Sequence, residues 1–154
     1  MAKGNSVLRG ITGEYYAAAK LFSMGLTAAM TVKNSPDFDI LVTDGKNQKM
    51  IQVKTTEDTA DWVFSKMVTD SNPNKIYILV LLKQCEKCDS PAFYIVPEKD
   101  IMEQQQKADK KYLERYKERH GEYPPEEGKG VYHFSDKEGK YKDNWKLLKM
   151  KIKV

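Results

Sequence analysis

The sequence from Ser35 to Thr56, SPDFDILVTDGKNQKMIQVKTT, has the pattern of a β-hairpin. Apolar and polar residues alternate on both sides of it, at the period of two expected of strands. Asp44-Gly45 lies between the two alternating runs, and glycine tolerates the positive φ of a tight connection. The sequence therefore predicts two antiparallel strands joined by a turn at Asp44-Gly45.

Polar side chains of these two strands are predicted to meet on one face. Residues two apart in a strand point the same way, so Gln52 and Lys54 emerge together and the partner strand brings Asp39 opposite them. A carboxylate and an amide oxygen are hard ligands that suit Mg²⁺ or Mn²⁺, and a nearby ammonium can stabilise charge that develops on a phosphate. A carboxylate, an amide oxygen and an ammonium are the smallest set of groups that metal-assisted phosphodiester cleavage needs. The alternative is the solvated polar face of an edge hairpin.

The order of the motifs resembles the PD-(D/E)XK nuclease superfamily, which includes restriction endonucleases and Holliday-junction resolvases. Pro36-Asp37-Phe38-Asp39 followed by Gln52-Val53-Lys54 carries the resemblance, and Gly13-Glu14 lies where that family often has a helical glutamate. The resemblance implies an α/β fold with a mixed central β-sheet flanked by helices, a restriction-endonuclease-like core. It also implies DNA as the partner, single-stranded, duplex or branched, and suggests a homodimer.

The resemblance places four residues in catalytic positions, namely Glu14, Asp39, Gln52 and Lys54. Asp39, Gln52, Glu14 and the backbone carbonyl of Val53 would then hold Mg²⁺ or Mn²⁺. Asp37 is the alternative metal ligand, because it has the same parity on the strand as Asp39. Asp39 is preferred, since it directly opens the apolar run as the metal-binding acid of the family does. Gln52 stands where the family usually has an acid, which removes one negative charge from the site.

Further candidates for nucleic-acid contact follow the hairpin and close the chain. Thr55 and Thr56 come directly after Lys54, where hydroxyl or backbone N–H groups can touch a phosphate. From Leu148 the pattern alternates strictly and predicts a strand or extended tail with one basic face, made of Lys149, Lys151 and Lys153. Lysines on an edge strand also discourage aggregation, so DNA contact and edge protection both explain them.

The rest of the chain predicts both helices and strands. Residues 6–24 carry apolar side chains at helical spacing, Leu8, Ile11, Tyr15, Ala18 and Phe22. Residues 76–82 form an uninterrupted apolar run, typical of a central strand covered on both faces. Proline and acidic residues at the start of residues 98–120 predict a long helix there. Residues 1–154 fit one nuclease-like domain with a basic C-terminal tail.

Composition narrows the function classes. The net charge is only +4 with 31% charged residues, so affinity for DNA would have to come from a local patch. No stretch approaches the roughly twenty apolar residues of a membrane span, and no signal-peptide pattern opens the chain, so we expect a cytoplasmic protein without membrane contact. The two cysteines, Cys85 and Cys88, are too few for a structural zinc site and are predicted to be free thiols in a loop.

The sequence therefore predicts a metal-dependent DNA endonuclease that hydrolyses phosphodiester bonds. One alternative is a nuclease-fold nucleic-acid-binding module that has lost turnover, because Gln52 supplies no charge to hold Mg²⁺. The other alternative is an interaction protein without a nucleic-acid role, in which the polar face of the hairpin is merely solvated.

Overall fold

The structure of the protein is a computed structural model that describes residues 3–31, 37–83, 90–125 and 130–152. The elements within these residues are, in chain order, α1 (Lys3–Ser23), β1 (Thr27–Met30), β2 (Ile40–Thr43), β3 (Gln48–Thr56), β4 (Asp61–Phe64), β5 (Lys75–Leu81), β6 (Ala92–Pro97), α2 (Glu98–His120), β7 (Tyr132–Ser135) and a 3₁₀ helix (Trp145–Leu148). Cys85, Cys88 and Lys153 lie outside the described residues. Neither described helix combines the length and the apolar character needed to cross a bilayer.

The predicted hairpin forms and is part of a five-stranded sheet with the strand order β1-β2-β3-β5-β6. β2 pairs with β3 in antiparallel register, with Ile40 opposite Ile51, and β1 pairs antiparallel with the other side of β2. β3 and β5 are parallel, and β5 and β6 are antiparallel. The sheet is therefore mixed, as predicted. β4 and β7 form a separate two-stranded sheet.

β5 confirms the prediction of a central strand. It lies between β3 and β6, and all residues from Ile76 to Leu81 are buried. A strand covered on both faces has no solvated side, which explains the continuous apolar run in the sequence.

Alternation along β3 divides the sheet into two faces. Ile51 and Val53 point to the side that α1 covers. Gln52 and Lys54 point to the opposite side, where their respective β5 neighbours, Tyr77 and Leu79, belong to a second apolar cluster. The start of α2 and the β4–β7 sheet cover this second side. The candidate catalytic side chains of β3 thus emerge on the side of α2 and not on the side of α1.

α1 forms over nearly all of the predicted residues, and Ala18 of its predicted apolar stripe is buried, but three other residues of that stripe are exposed. Leu8, Tyr15 and Phe22 are 63%, 65% and 54% exposed. The face that meets the sheet consists of small and medium residues instead, Gly13, Ala17, Ala18, Leu21 and Met24. Small side chains let the helix lie close to the strands. The buried face is therefore the one that packs closely on the sheet, and not the one with the largest apolar side chains.

α2 spans the range predicted for the long helix. Pro97 precedes it, and Gly121 ends it in a left-handed conformation with φ of 79°. Gln104 ties the helix to β7, because its side chain accepts the Ser135 N–H at 3.0 Å and donates to the Ser135 carbonyl at 3.2 Å. An amide side chain thus pairs with β7 as a neighbouring strand would.

The tail differs from its prediction. Trp145–Leu148 forms a 3₁₀ helix, and Lys149 follows in a left-handed conformation with φ of 54°. A left-handed residue interrupts a strand, and the described residues after it form none, so the predicted strand does not form there, although Lys149 and Lys151 are exposed as the pattern predicted. The apolar residues of the pattern still serve the core, because Met150 and Ile152 pack against the cluster that α1 covers.

α1 contacts β3 at Gly13. A Cβ added to Gly13 would lie 2.9 Å from the Cβ of Thr55 and would collide with the hydroxyl oxygen of that residue. A Cβ added to Gly10, in the interior of the same helix, would meet nothing within 4 Å. The two glycines therefore form a matched pair that separates close packing from helix propensity.

We expect Gly13→Ala to lower the free energy of unfolding by about 1–3 kcal/mol, the usual cost of overpacking. Gly10→Ala should raise it by roughly 0.5–1 kcal/mol, because alanine favours a helix and meets no neighbour there. Urea denaturation measures both changes. In a Thr55→Ala background part of the cost of Gly13→Ala should disappear, since Oγ1 and Cγ2 of Thr55 are gone while its Cβ stays. A Gly13→Ala protein as stable as the wild type would contradict the close contact.

Candidate active site

Asp39 lies where β2 and β3 separate. Their ladder ends at Ile40 opposite Ile51, and the Asp39 N–H donates to the Ile51 carbonyl at 2.8 Å. Val53 lies beyond the end of this ladder, and its N–H donates to Asp39 Oδ2 at 2.7 Å. A carboxylate therefore takes the place that a strand carbonyl would occupy, which fixes it beside β3.

Gln52 lies opposite Asp39 and donates from Nε2 to the same Oδ2 at 2.6 Å. An ionised carboxylate only accepts hydrogen bonds, so the amide nitrogen faces Asp39 and Oε1 is directed away from it. Both hydrogen bonds of the carboxylate fall on Oδ2. Asp39 Oδ1 and Gln52 Oε1 are therefore the two oxygens of this pair that can take a cation.

Lys54 extends from the same side of β3 as Gln52, and its ammonium lies 4.8 Å from the centroid of the Phe64 ring. Burial lowers the pKa of Lys54, while the charge of Asp39 opposes that change. Burial raises the pKa of Asp39, and the hydrogen bond from Val53 and the charge of Lys54 oppose it. Two opposite charges are thus held half-buried on one side of the sheet, an arrangement common at active sites.

A second charged pair, which the sequence did not predict, lies on the same side of the sheet. Glu98, the first residue of α2, is buried, accepts the Asn72 N–H at 2.8 Å and pairs with Lys75 Nζ at 3.0 Å. Tyr77, opposite Gln52 in the β3–β5 register, lies 3.5 Å from Glu98 and donates its hydroxyl proton. Burial first, and the Glu98 charge second, raise the pKa of Tyr77.

Lys75 connects this pair to the candidate centre. Its charge lowers the pKa of Asp39 and also that of Lys54, so it lies within electrostatic reach of both. Only the parallel register of β5 on β3 brings it there, and no local pattern encodes that register. The one available signal was that Lys75 and Tyr77 are two residues apart, the spacing of side chains on one face of a strand.

Glu14 belongs to α1, across the sheet from the side chains of Gln52 and Lys54. It is half-buried, and the preceding Gly13 packs on Thr55, the residue after Lys54 in β3. The turn of α1 that carries Glu14 therefore lies against the strand of the candidate centre. Across the described parts of the chain, no three acidic, histidine or cysteine side chains gather into a metal-binding group.

Thr55 and Thr56 point to opposite faces of the sheet. The Thr55 hydroxyl oxygen is buried against Gly13 and has no hydrogen-bond partner among the residues described. The hydroxyl therefore faces α1, and contact of the Thr55 backbone N–H with a phosphate stays a prediction. Thr56 is half-buried, and its carbonyl accepts the Leu82 N–H at 3.0 Å. Its contact with a phosphate stays a prediction.

The tail lysines lie at the other end of the hairpin. The Lys151 N–H donates to the Asp44 carboxylate in the β2–β3 turn at 2.8 Å. Asp44 is five residues from Asp39, roughly 16 Å along an extended strand. Lys149 and Lys151 are exposed, but the structure does not bring them to the candidate centre. Asp37, the alternative metal ligand, is an exposed residue just before Asp39.

The solved structures that are similar to this chain include two nucleases. The structure of a bacterial homing endonuclease, I-Ssp6803I, has a TM-score of 0.54 and 15% identity, over 94% of this chain and 93% of that chain. Hjc from Archaeoglobus fulgidus, a Holliday junction resolvase from an archaeal hyperthermophile, has a TM-score of 0.46 and 15% identity, over 82% of this chain and 88% of that chain. No family model and no curated protein sequence matches the chain.

The likeness to the homing endonuclease structure shows the fold. The chain shares the fold of that structure, an α/β fold with a mixed five-stranded sheet flanked by helices. The fold class predicted from the sequence is therefore confirmed. An identity of 15% carries no activity from one chain to the other, so the function has to be argued from the site.

We expect Asp39→Asn to stabilise the fold at neutral pH, because asparagine keeps an oxygen for the Val53 N–H and removes a half-buried charge. The pKa of Asp39 in the fold is raised above its ordinary value of 3.8. The Asp39 carboxyl group therefore contributes fully to the free energy of unfolding below pH 3.8, its ordinary pKa. This contribution is lost as the pH rises through the raised pKa of the folded state. The gain in Tm of Asp39→Asn over wild type should be smallest at about pH 3 and grow as the pH rises.

Thermal denaturation across this pH range measures the effect. Asp37→Asn, at an exposed acid in the same segment, is the matched control and should show no comparable growth of the gain with pH. A gain for Asp39→Asn that shrinks as the pH rises would contradict the raised pKa.

Proposed function

We propose that this protein is a metal-dependent endonuclease that hydrolyses phosphodiester bonds in DNA. The observation that carries the proposal is the convergence of Asp39, Gln52 and Lys54 where β2 and β3 separate. The similar structure of a homing endonuclease supports DNA as the partner. Residues 1–154 would then form one nuclease domain, which acts as a monomer or as a homodimer.

The oxygens of the centre fit a hard divalent cation. The hydrogen bond between Asp39 and Gln52 does not use Asp39 Oδ1 or Gln52 Oε1, so both oxygens are candidate metal ligands. The Val53 carbonyl and Glu14 are further candidates. Such oxygen donors suit Mg²⁺ or Mn²⁺. A bound cation would supply polarisation of the scissile phosphate and a lower pKa for the attacking water.

Lys54 is proposed to stabilise the negative charge that builds up on the phosphate during attack. Its ammonium lies against the Phe64 ring and is partly removed from water, where an electrostatic contact is stronger than in bulk solvent. The bond between Asp39 and Gln52 keeps the acid in place, and the charge of Asp39 opposes the lowering of the Lys54 pKa by burial.

A nuclease-fold binding module without turnover is the second candidate. Two observations favour it: Gln52 carries no charge, and no group of three metal-binding side chains occurs within the described ranges. Lys54 and Lys75 would then bind a phosphate without cleaving it. An interaction protein is the third candidate, and the exposed apolar side chains of α1, Leu8, Tyr15 and Phe22, favour it.

We expect Lys54→Ala to lower cleavage of plasmid or branched DNA by on the order of a hundredfold in Mg²⁺ or Mn²⁺, because the lost charge acts in the transition state. DNA affinity, measured by fluorescence anisotropy, should change only a few fold, because one phosphate contact among several is removed. Lys49→Ala is the matched control on the same strand, since the Lys49 ammonium donates to the Pro73 carbonyl at 2.9 Å. That variant should cleave like the wild type.

The wild-type result decides between the candidates. Binding without cleavage of single-stranded, duplex and branched DNA in either metal would favour the binding module over the enzyme. The absence of DNA binding even at low salt would leave the interaction protein.

Gln52→Glu tests the metal site directly. A second carboxylate beside Asp39 should tighten Mn²⁺ by roughly tenfold in calorimetric titration, because it adds a charged oxygen ligand. Without metal the same change places two like charges together, so Tm should fall and recover when Mn²⁺ is added. A variant with unchanged Mn²⁺ affinity and unchanged Tm would place the metal elsewhere. In the Asp39→Asn protein, Mn²⁺ binding should be lost.

A further inference from the structure

The outward face of α1 carries apolar side chains at the spacing of a coiled coil. Three large ones, each more than half exposed, follow one another at intervals of seven residues, Leu8, Tyr15 and Phe22. Thr12 and Ala19 lie four residues after the first two and are exposed as well. These five residues, the α1 seam, therefore take the a and d positions of a heptad pattern, with small side chains at a and large ones at d.

α1 turns this seam away from the core of its own domain. Ala17 and Met24 are buried in the core between α1 and the sheet, and they hold the heptad position that lies opposite a and d. The parts of the sequence outside the described ranges contain no apolar run that could cover the seam. A contiguous exposed apolar surface of this kind marks an interaction site.

Polar groups of the seam and beside it are already satisfied within the helix. The Thr12 hydroxyl donates to the Leu8 carbonyl at 2.8 Å, and the Ser23 hydroxyl, next to Phe22, donates to the Lys20 carbonyl at 2.7 Å. No charged residue occupies an a or d position between Leu8 and Phe22. The seam can therefore be removed from water without leaving a charge or either of these hydroxyl protons unpaired.

A second copy of this chain complements the seam in side-chain size. In an antiparallel pair of helices, each layer joins an a position of one helix to a d position of the other. Thr12 and Ala19 would then lie against large side chains of the second copy, which fills the space between the helices evenly. A parallel pair would instead place Tyr15 against Tyr15 and Ala19 against Ala19, which crowds one layer and leaves a gap in the next. Side-chain size therefore favours a second copy in antiparallel orientation.

The area of the seam fits a weak dimer. The seam and its exposed neighbour Tyr16 would remove roughly 500 Å² from water in each copy, or about 1,000 Å² in the pair. Stable specific interfaces begin at about 1,200 Å², so we expect a dissociation constant on the order of 10–100 µM.

We propose that α1 forms the interface of a homodimer, in which the seams of two copies pack against each other in antiparallel orientation. Gln52 and Lys54 emerge on the opposite side of the sheet from α1, so both copies would keep this part of the candidate centre open. No residue of the seam belongs to the candidate centre. The dimer therefore does not depend on the proposed nuclease activity, and each proposal can fail alone.

Analytical ultracentrifugation of the full chain between about 1 and 500 µM covers the expected dissociation constant. The mass of the wild type should rise across this range from that of a monomer toward that of a dimer. Ala19→Glu should weaken association by roughly tenfold or more, because it places a charge against an apolar side chain of the second copy. Glutamate suits an exposed helix position, so the Tm of this variant at low protein concentration should match the wild type.

Phe22→Glu removes a large side chain of the seam and should weaken association in the same way. Tyr112→Glu, at a half-exposed tyrosine on α2, is the matched control and should associate like the wild type. A wild type that stays monomeric at the highest concentration overturns the proposal and leaves the seam to a different protein. Association that Ala19→Glu and Phe22→Glu both leave unchanged also overturns it, because the dimer then uses another surface.

A mixture of Ala19→Glu and Ala19→Lys tests the orientation of the helices. Ala19 does not meet its own copy in an antiparallel pair, so the equimolar mixture should associate as weakly as either variant alone. Recovery of association in the mixture overturns the antiparallel orientation, because the new charges would then lie side by side. Lys54→Ala should associate like the wild type, which separates this result from that on cleavage.

Discussion

The hydrogen bond from the Val53 N–H to the Asp39 carboxylate organises this structure. β2 and β3 separate just before Ile40, and a backbone donor on a buried strand needs a partner when its neighbouring strand turns away. Asp39 supplies that partner through its side chain. The bond also fixes the carboxylate next to Gln52 and on the side of the sheet where Lys54 emerges. The place where the β2–β3 ladder ends is therefore also the place where the candidate active site begins.

Holding these charges half-buried works against folding, and the surrounding elements reduce that cost. Phe64 places the face of its ring near the Lys54 ammonium, where a cation–π contact replaces part of the lost hydration. Glu98 is buried at the start of α2, where the helix dipole favours a carboxylate, and it pairs with Lys75. The elements that cover this side of the sheet thus provide its electrostatic balance as well as its apolar packing.

The features that the sequence predicted are those that nearby residues encode. The hairpin, the buried β5 and the range of α2 follow from alternation, an apolar run and helix start signals, and the meeting of Asp39 with Gln52 follows from hairpin register. The buried face of α1 was missed in part because Gly13 and Ala17 carry little hydrophobic signal, whereas Leu8, Tyr15 and Phe22 carry a strong one although they are exposed. The role of Lys75 was missed because parallel pairing joins distant segments, and the tail strand failed because Lys149 is left-handed.

The charge balance of the candidate centre constrains how a metal would bind under the proposed function. Asp39 and Glu98 oppose Lys54 and Lys75, so these four side chains sum to zero charge, and Gln52 adds none. A divalent cation would therefore bind the free protein only weakly. A DNA phosphate brings the missing negative charge to the same place. Metal and DNA would then each raise the affinity of the protein for the other by the same factor, because coupling between two binding equilibria is reciprocal. In that case Gln52 would leave part of the negative charge at the metal site to be supplied by the DNA phosphate. Cleavage would then require metal and DNA to be bound at the same time.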